Sequence, residues 1–145
     1  MAKRILVAFD RTTPAYELLD VIGALMRGGG AAVRLLHVAP TPDSIVDADG
    51  RTIVYSDQEG ERLRAEAFDA LRAFEVHLGD DGVECAVRFG DPAREIVREA
   101  EEFRADLIAM PARCHTGVRR LLFGSVAEKV ARHAPMPVML LRPAA

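Results

Sequence analysis

At 145 residues, 50% hydrophobic and 28% charged, the chain is long enough to bury one core and too apolar to remain disordered. A net charge of -3 gives no basis for non-specific nucleic-acid binding, and no apolar run reaches the length of a membrane span. Two cysteines cannot build a disulfide framework, and the opening Met-Ala-Lys-Arg-Ile-Leu-Val has no long apolar stretch or cleavage site of a signal peptide. These features predict one domain over residues 1–145, in the cytoplasm, with reduced thiols, no membrane contact and no nucleic-acid partner.

Lys3 to Phe9 is an apolar run ending at Asp10, with both faces apolar, as in a central parallel strand. Thr13 offers a helix N-cap and Pro14 the first helical position. Leu18, Ile22 and Leu25 then share one helical face, with Leu19 and Met26 beside it, and Gly28 to Gly30 stop the helix. Val33 to Val38 is the second strand. Ala39 to Tyr55 is the least regular part, with Pro40, Pro42, Asp43, Asp47, Asp49 and Gly50 as turn formers. Three readings fit this stretch: a solvated connection, a lid over a ligand, and a metal loop. Turn chemistry favours the first, and calcium-loop spacing is absent.

Ser56-Asp-Gln-Glu59 is a capping box that opens a long helix with Leu63, Ala67, Leu71, Phe74 and Leu78 on one stripe. Gly79 ends it, Asp80 to Gly82 turn the chain, and Val83 to Phe89 is the third strand, with Cys85 as a core thiol. Gly90-Asp91-Pro92 starts a helix with Asp91 as N-cap and a buried stripe of Ile96, Ala100 and Phe103. The Glu and Arg residues between them read as a solvated face with local pairs. Leu107 to Met110 is the fourth strand. The last helix begins at Gly124-Ser125, runs through Ala127, Val130 and Ala131 to about His133, and carries Lys129, Arg132 and His133 near its C-terminus. Ala134-Pro-Met-Pro137 breaks it before a final strand, Val138 to Leu141. His37 and His77 lie within a strand-like and a helical pattern and read as structural. Five strands alternating with four helices predict an α/β, three-layer sandwich with a parallel sheet; the alternation alone leaves the strand order open.

A strand, a basic loop from Ala112 to Arg120, then Gly-Ser at a helix start has two readings. One is a phosphate cradle built from backbone N–H groups and a helix dipole; the other is an ordinary connection with a Ser cap. No nucleophile–base pair, Walker loop or Gly-x-Ser-x-Gly elbow occurs, so no catalytic residue is assigned and the chain reads as a non-enzyme, with slow ATP hydrolysis left open. The acidic pair and lysine of a phospho-receiver and the phosphate loop of a flavodoxin are also missing. Cys114-His115 has no second ligand pair, so no metal is assigned. Cys114 sits between Arg113 and His115 and is either a redox-sensitive thiol or a passive loop residue.

Several segments resemble the universal stress protein family along essentially the whole chain. They are Ile5 to Asp10, Leu35 to Val38, Asp106 to Met110, Gly117, Arg119 to Ser125 and Pro135 to Val138. The resemblance implies a five-stranded parallel sheet in the order 3-2-1-4-5, with the switch point between strands one and four, at Asp10 and Pro111. It implies that Ala8, Asp10 and Val38 contact adenosine. Met110, Pro111, Arg113, Cys114, His115 and Gly117 would wrap the ribose and phosphates, and Gly124, Ser125, Val126 and Ala127 would hold phosphate. It also implies a homodimer through Val138, Met139, Leu140 and Leu141.

ATP-binding members of that family carry Gly-x2-Gly-x9-Gly-[Ser/Thr]. Aligned on Gly124-Ser125, the two earlier glycines fall on Pro111 and Cys114. A proline removes one N–H donor, worth roughly 1.5–3 kcal/mol toward an anion. A Cβ at a left-handed position strains the backbone by about 1–2 kcal/mol. Together they weaken nucleotide affinity roughly a hundredfold or more, partly offset by Arg113, His115, Arg119 and Arg120. The first expectation is therefore a stress-response protein that binds ATP or AMP weakly, with neither required. The alternative is a member without nucleotide that acts through dimerisation and protein contacts, with Cys114 as its thiol.

Overall fold

The computed structural model describes residues 3–9, 16–41, 45–46, 48–54, 56–79, 82–111 and 125–141. In chain order the elements are β1 (Arg4–Phe9), α1 (Tyr16–Gly29), β2 (Ala32–Ala39), β3 (Ile45–Val46), β4 (Thr52–Val54), α2 (Ser56–Leu78), β5 (Val83–Phe89), α3 (Pro92–Phe103), β6 (Leu107–Pro111), α4 (Ser125–His133) and β7 (Val138–Leu141). Five strands pair in parallel in the order β5-β2-β1-β6-β7, which is the expected 3-2-1-4-5 counted over the sheet.

The central strand explains the layering. Ile5, Val7 and Phe9 point to one face of the sheet, where they pack with Leu18, Leu19 and Ile22 of α1 and Leu71 of α2. Leu6 and Ala8 point to the other, where they meet Ile96 and Phe103 of α3 and Val130 of α4. Strict alternation with every residue apolar is what a strand covered on both faces requires. The helices pair accordingly, α1 with α2 and α3 with α4. An aromatic stack of Phe9 on Phe74, with centroids 4.8 Å apart, ties the C-terminal end of β1 to α2.

Four expectations change. The irregular stretch contains an antiparallel ribbon, with Ile45 opposite Val54 and Val46 opposite Thr52. Its cause is legible in retrospect: β-branched residues flank an Asp49-Gly50 turn in which Gly50 has φ +80°. In α1, Leu25 is 43% exposed rather than on the buried stripe. The buried residues are Leu18, Leu19, Ile22, Gly23 and Met26, so the stripe follows the four-residue step from Leu18 and leaves Leu25 at its margin. Ala131 of α4 is likewise exposed, while Ala127 and Val130 are buried. The expected caps at Thr13 and Pro14 lie outside the described residues.

The fourth change concerns the charges of α3. Glu95 and Glu99 are buried, not solvated, and their partners come from the sheet. Arg88 of β5 reaches Glu95 at 3.0 Å and also bonds Glu99 and Glu102. Arg34 of β2 bonds Glu99 at 2.7 Å and Glu84 at 2.7 Å, and its guanidinium lies 4.2 Å from the Phe103 ring centroid. Burial alone raises the Glu99 carboxyl; the hydrogen bonds from Arg88 and Arg34 outweigh it and hold the group below its ordinary range. Local pairing rules missed this because the arginines lie on strands, outside the three- and four-residue spacing of a helix: Arg88 is 7 to 14 residues from its partners and Arg34 is 65 from Glu99.

The start and end of α3 match the sequence. The Asp91 carboxylate accepts from the Arg94 N–H at 3.0 Å, Pro92 opens the helix, and Arg104 closes it in the left-handed conformation with φ 57°. Among the described residues, no helix is long and apolar enough to cross a membrane.

Candidate functional site

In this sheet the chain moves outward from β1 through β2 to β5 on one side, and through β6 to β7 on the other. The strand order therefore reverses between β1 and β6, whose next strands in the sheet, β2 and β7, lie on opposite sides of the pair. That leaves a crevice at the carboxyl ends of the strands.

A cleft of about 290 Å³ opens there. Its floor is made by Ala8 and Phe9 of β1, His37 and Val38 of β2, and Met110 and Pro111 of β6. Pro92 and Ile96 of α3 form one wall; Ser125, Val126 and Ala127 of α4 form the other. The floor is mostly apolar because it is the end of the hydrophobic core: Ala8, Phe9 and Met110 are all buried. An aromatic or aliphatic surface of a ligand would gain from covering it.

The two helix ends facing the cleft are not equivalent. At α3, Pro92 has no N–H, and the Arg94 N–H is already taken by the Asp91 carboxylate. That end has fewer free donors to offer an anion than an uncapped helix start. At α4, the first-turn N–H groups have no intrahelical acceptor, and Ser125 beside them is an exposed residue. With the helix dipole, this is the end suited to an anion. The cleft thus has an apolar floor and one wall suited to negative charge.

Of the residues expected at the site, Ala8, Val38, Met110, Pro111, Ser125, Val126 and Ala127 come together around this one cleft. Asp10, Arg113, Cys114, His115, Gly117 and Gly124 lie outside the described residues. Phe9, His37, Pro92 and Ile96 also line it and were not anticipated. His37 is buried, with Nδ1 3.4 Å from the Phe9 carbonyl oxygen, so it is held by the core while facing the cleft. The signal for it was register: His37 pairs with Phe9 at the same tip of the sheet. Pro92 and Ile96 were signalled by Gly90-Asp91-Pro92, since a helix that follows a parallel strand starts at the strand's carboxyl end. His77 is structural, with Nε2 2.9 Å from Asp20 across the α1–α2 contact.

The model of the Universal stress protein family matches residues 1–142. The chain belongs to the universal stress protein family. This member is 32% identical to a universal stress protein of Thermus aquaticus over 144 residues, covering 98% of this chain and 100% of the relative. The solved structure of the protein MJ0577 matches with a TM-score of 0.77 at 26% identity, covering 100% of this chain and 99% of that one. Two further neighbours share the fold. The Archaeoglobus fulgidus universal stress protein in complex with dAMP has a TM-score of 0.61 at 22% identity, covering 95% of this chain and 96% of that one. A universal stress protein in complex with cAMP has a TM-score of 0.64 at 18% identity, covering 99% and 100%.

Proposed function

We propose that this universal stress protein is a regulatory binding protein, not an enzyme, that takes AMP or ATP weakly in the cleft between the tips of β1 and β6. The adenosine would lie on Ala8, Val38 and Met110. The phosphate would face Ser125, Val126 and Ala127, and Asp10, Arg113, Cys114, His115, Gly117 and Gly124 would complete the site. The observation that carries this reading is the polarity of the cleft: an apolar floor beside the N-terminus of α4, at the point where strand order reverses. The dAMP and cAMP complexes of neighbours with this fold support an adenylate as the occupant.

Weak affinity follows from Pro111, whose ring lines the cleft without an N–H to offer. One missing donor to a charged oxygen corresponds to roughly a tenfold to hundredfold loss. The protein would act in the cytoplasm as a homodimer through the free edge of β7, Val138, Met139, Leu140 and Leu141.

Isothermal titration with AMP and ATP, with GMP as control, tests the reading. Saturable heat for the adenine nucleotides at millimolar concentration is expected, and Pro111→Gly should tighten it by about tenfold. Absence of heat from folded protein would sink the proposal.

A further inference from the structure

On the solvent side of the same two helices lies a second groove, of about 370 Å³. Ala93 and Val97 give it an apolar base. Its sides are basic: Arg94 and Arg98 rise from α3, and Lys129 and His133 from α4. Each pair is four residues apart, so each helix presents its two basic groups one turn above the other, toward a shared gap.

These groups are largely uncommitted. Among the described residues the side chains of Arg94, Lys129 and His133 have no acidic partner, and Arg98 reaches only Glu95, at 3.2 Å. Three acids nearby have partners of their own, and one of them, Asp91, lines the groove itself. Asp91, the one carboxylate in the groove, caps α3; Glu95 is buried against Arg88; Glu128 pairs with Arg132 at 3.1 Å. In a chain of net charge -3, three cations, Arg94, Arg98 and Lys129, thus share one concave place with a single carboxylate among its described lining residues, Asp91. Two guanidinium forks with an ammonium and an imidazole opposite match the several oxygens of linked phosphates better than one carboxylate. The groove volume falls within the range of small-molecule sites.

We propose that this groove is a second anion site, distinct from the cleft, for a small ligand carrying two or more linked phosphates. The ligand lies between Arg94 and Arg98 on one side and Lys129 on the other, with His133 at the end of α4.

The test is calorimetric titration of the full chain with inorganic pyrophosphate at low ionic strength, with and without saturating AMP. Saturable binding that AMP does not displace is expected. Arg94→Ala and Lys129→Ala should each weaken it about tenfold, as loss of one charge-assisted contact does, while AMP affinity stays unchanged. Arg94→Lys should recover part of the loss. Arg132→Ala removes an exposed arginine of α4 that lies outside the groove, and should leave binding intact. The proposal is overturned if pyrophosphate does not bind, if AMP displaces it, or if Arg132→Ala weakens it as much as Lys129→Ala.

Discussion

Replacing Arg88 with methionine keeps an unbranched apolar stem and removes the guanidinium that Glu95, Glu99 and Glu102 share. The losses are unequal. Glu102 is 66% exposed, so its lost pair costs about 0–1 kcal/mol. Glu95 retains Arg98 at 3.2 Å. Glu99, 7% exposed, retains only Arg34, at 2.7 Å. A buried carboxylate stripped of all partners costs about 3–5 kcal/mol, and Glu99 keeps one of two arginines, so about half of that applies. The expected total is about 2–3 kcal/mol, or a fall in Tm of roughly 4–12 °C for a domain of this size. Urea unfolding followed by circular dichroism measures it. The sign with pH is fixed: the folded protein holds Glu99 below its ordinary range, so this stability is present above that range and lost as pH falls through the folded value. The gap between wild type and Arg88→Met should therefore be constant from about pH 7 to 5 and narrow below about pH 4. A variant within about 0.5 kcal/mol of wild type at neutral pH, or a gap that widens on acidification, would refute the reasoning.

Ser125→Asp keeps a residue suited to a helix start but sets a carboxylate where the phosphate should lie; AMP affinity by calorimetry should fall at least about tenfold with Tm unchanged or slightly raised. Gly90→Ala should cost about 1–3 kcal/mol by urea unfolding, because Gly90 has φ +130° and a side chain there is strained; an unchanged midpoint would contradict the backbone geometry. The Cys85 thiol is pushed up to about 11 by burial and then by Glu75. In a Cys114→Ser background, its alkylation at pH 8 should be roughly a hundredfold slower than that of a free thiol, and urea should remove the difference. Light scattering of the wild type should show a homodimer through the edge strand β7; a monomer at high concentration would end the dimer proposal.

What was legible in the sequence was what local pattern carries. The all-apolar run from Ile5 to Phe9 announced a central strand, and Asp91-Pro92 announced a helix start to the residue. The cleft was half legible: Ala8, Met110 and Ser125 sit at element ends that the pattern marks. His37 was not, because its place depends on which strand lies beside β2, and that is a property of topology. The Arg34 and Arg88 network was illegible for the same reason: Arg34 and Glu99 are 65 residues apart and meet only once β2 and α3 pack together. Local rules assigned those glutamates to solvent; long-range packing supplied their partners.

The central claim is that the crevice between β1 and β6 receives an adenylate. A nitrogen–proton correlation titration with AMP tests it most directly, because it reads location as well as affinity. The backbone signals of Val38, Met110, Ser125, Val126 and Ala127 should move together and saturate, while Val97 and Lys129 on the outer groove stay still. Cleft signals that stay fixed at millimolar AMP, or shifts confined to another surface, would contradict the account.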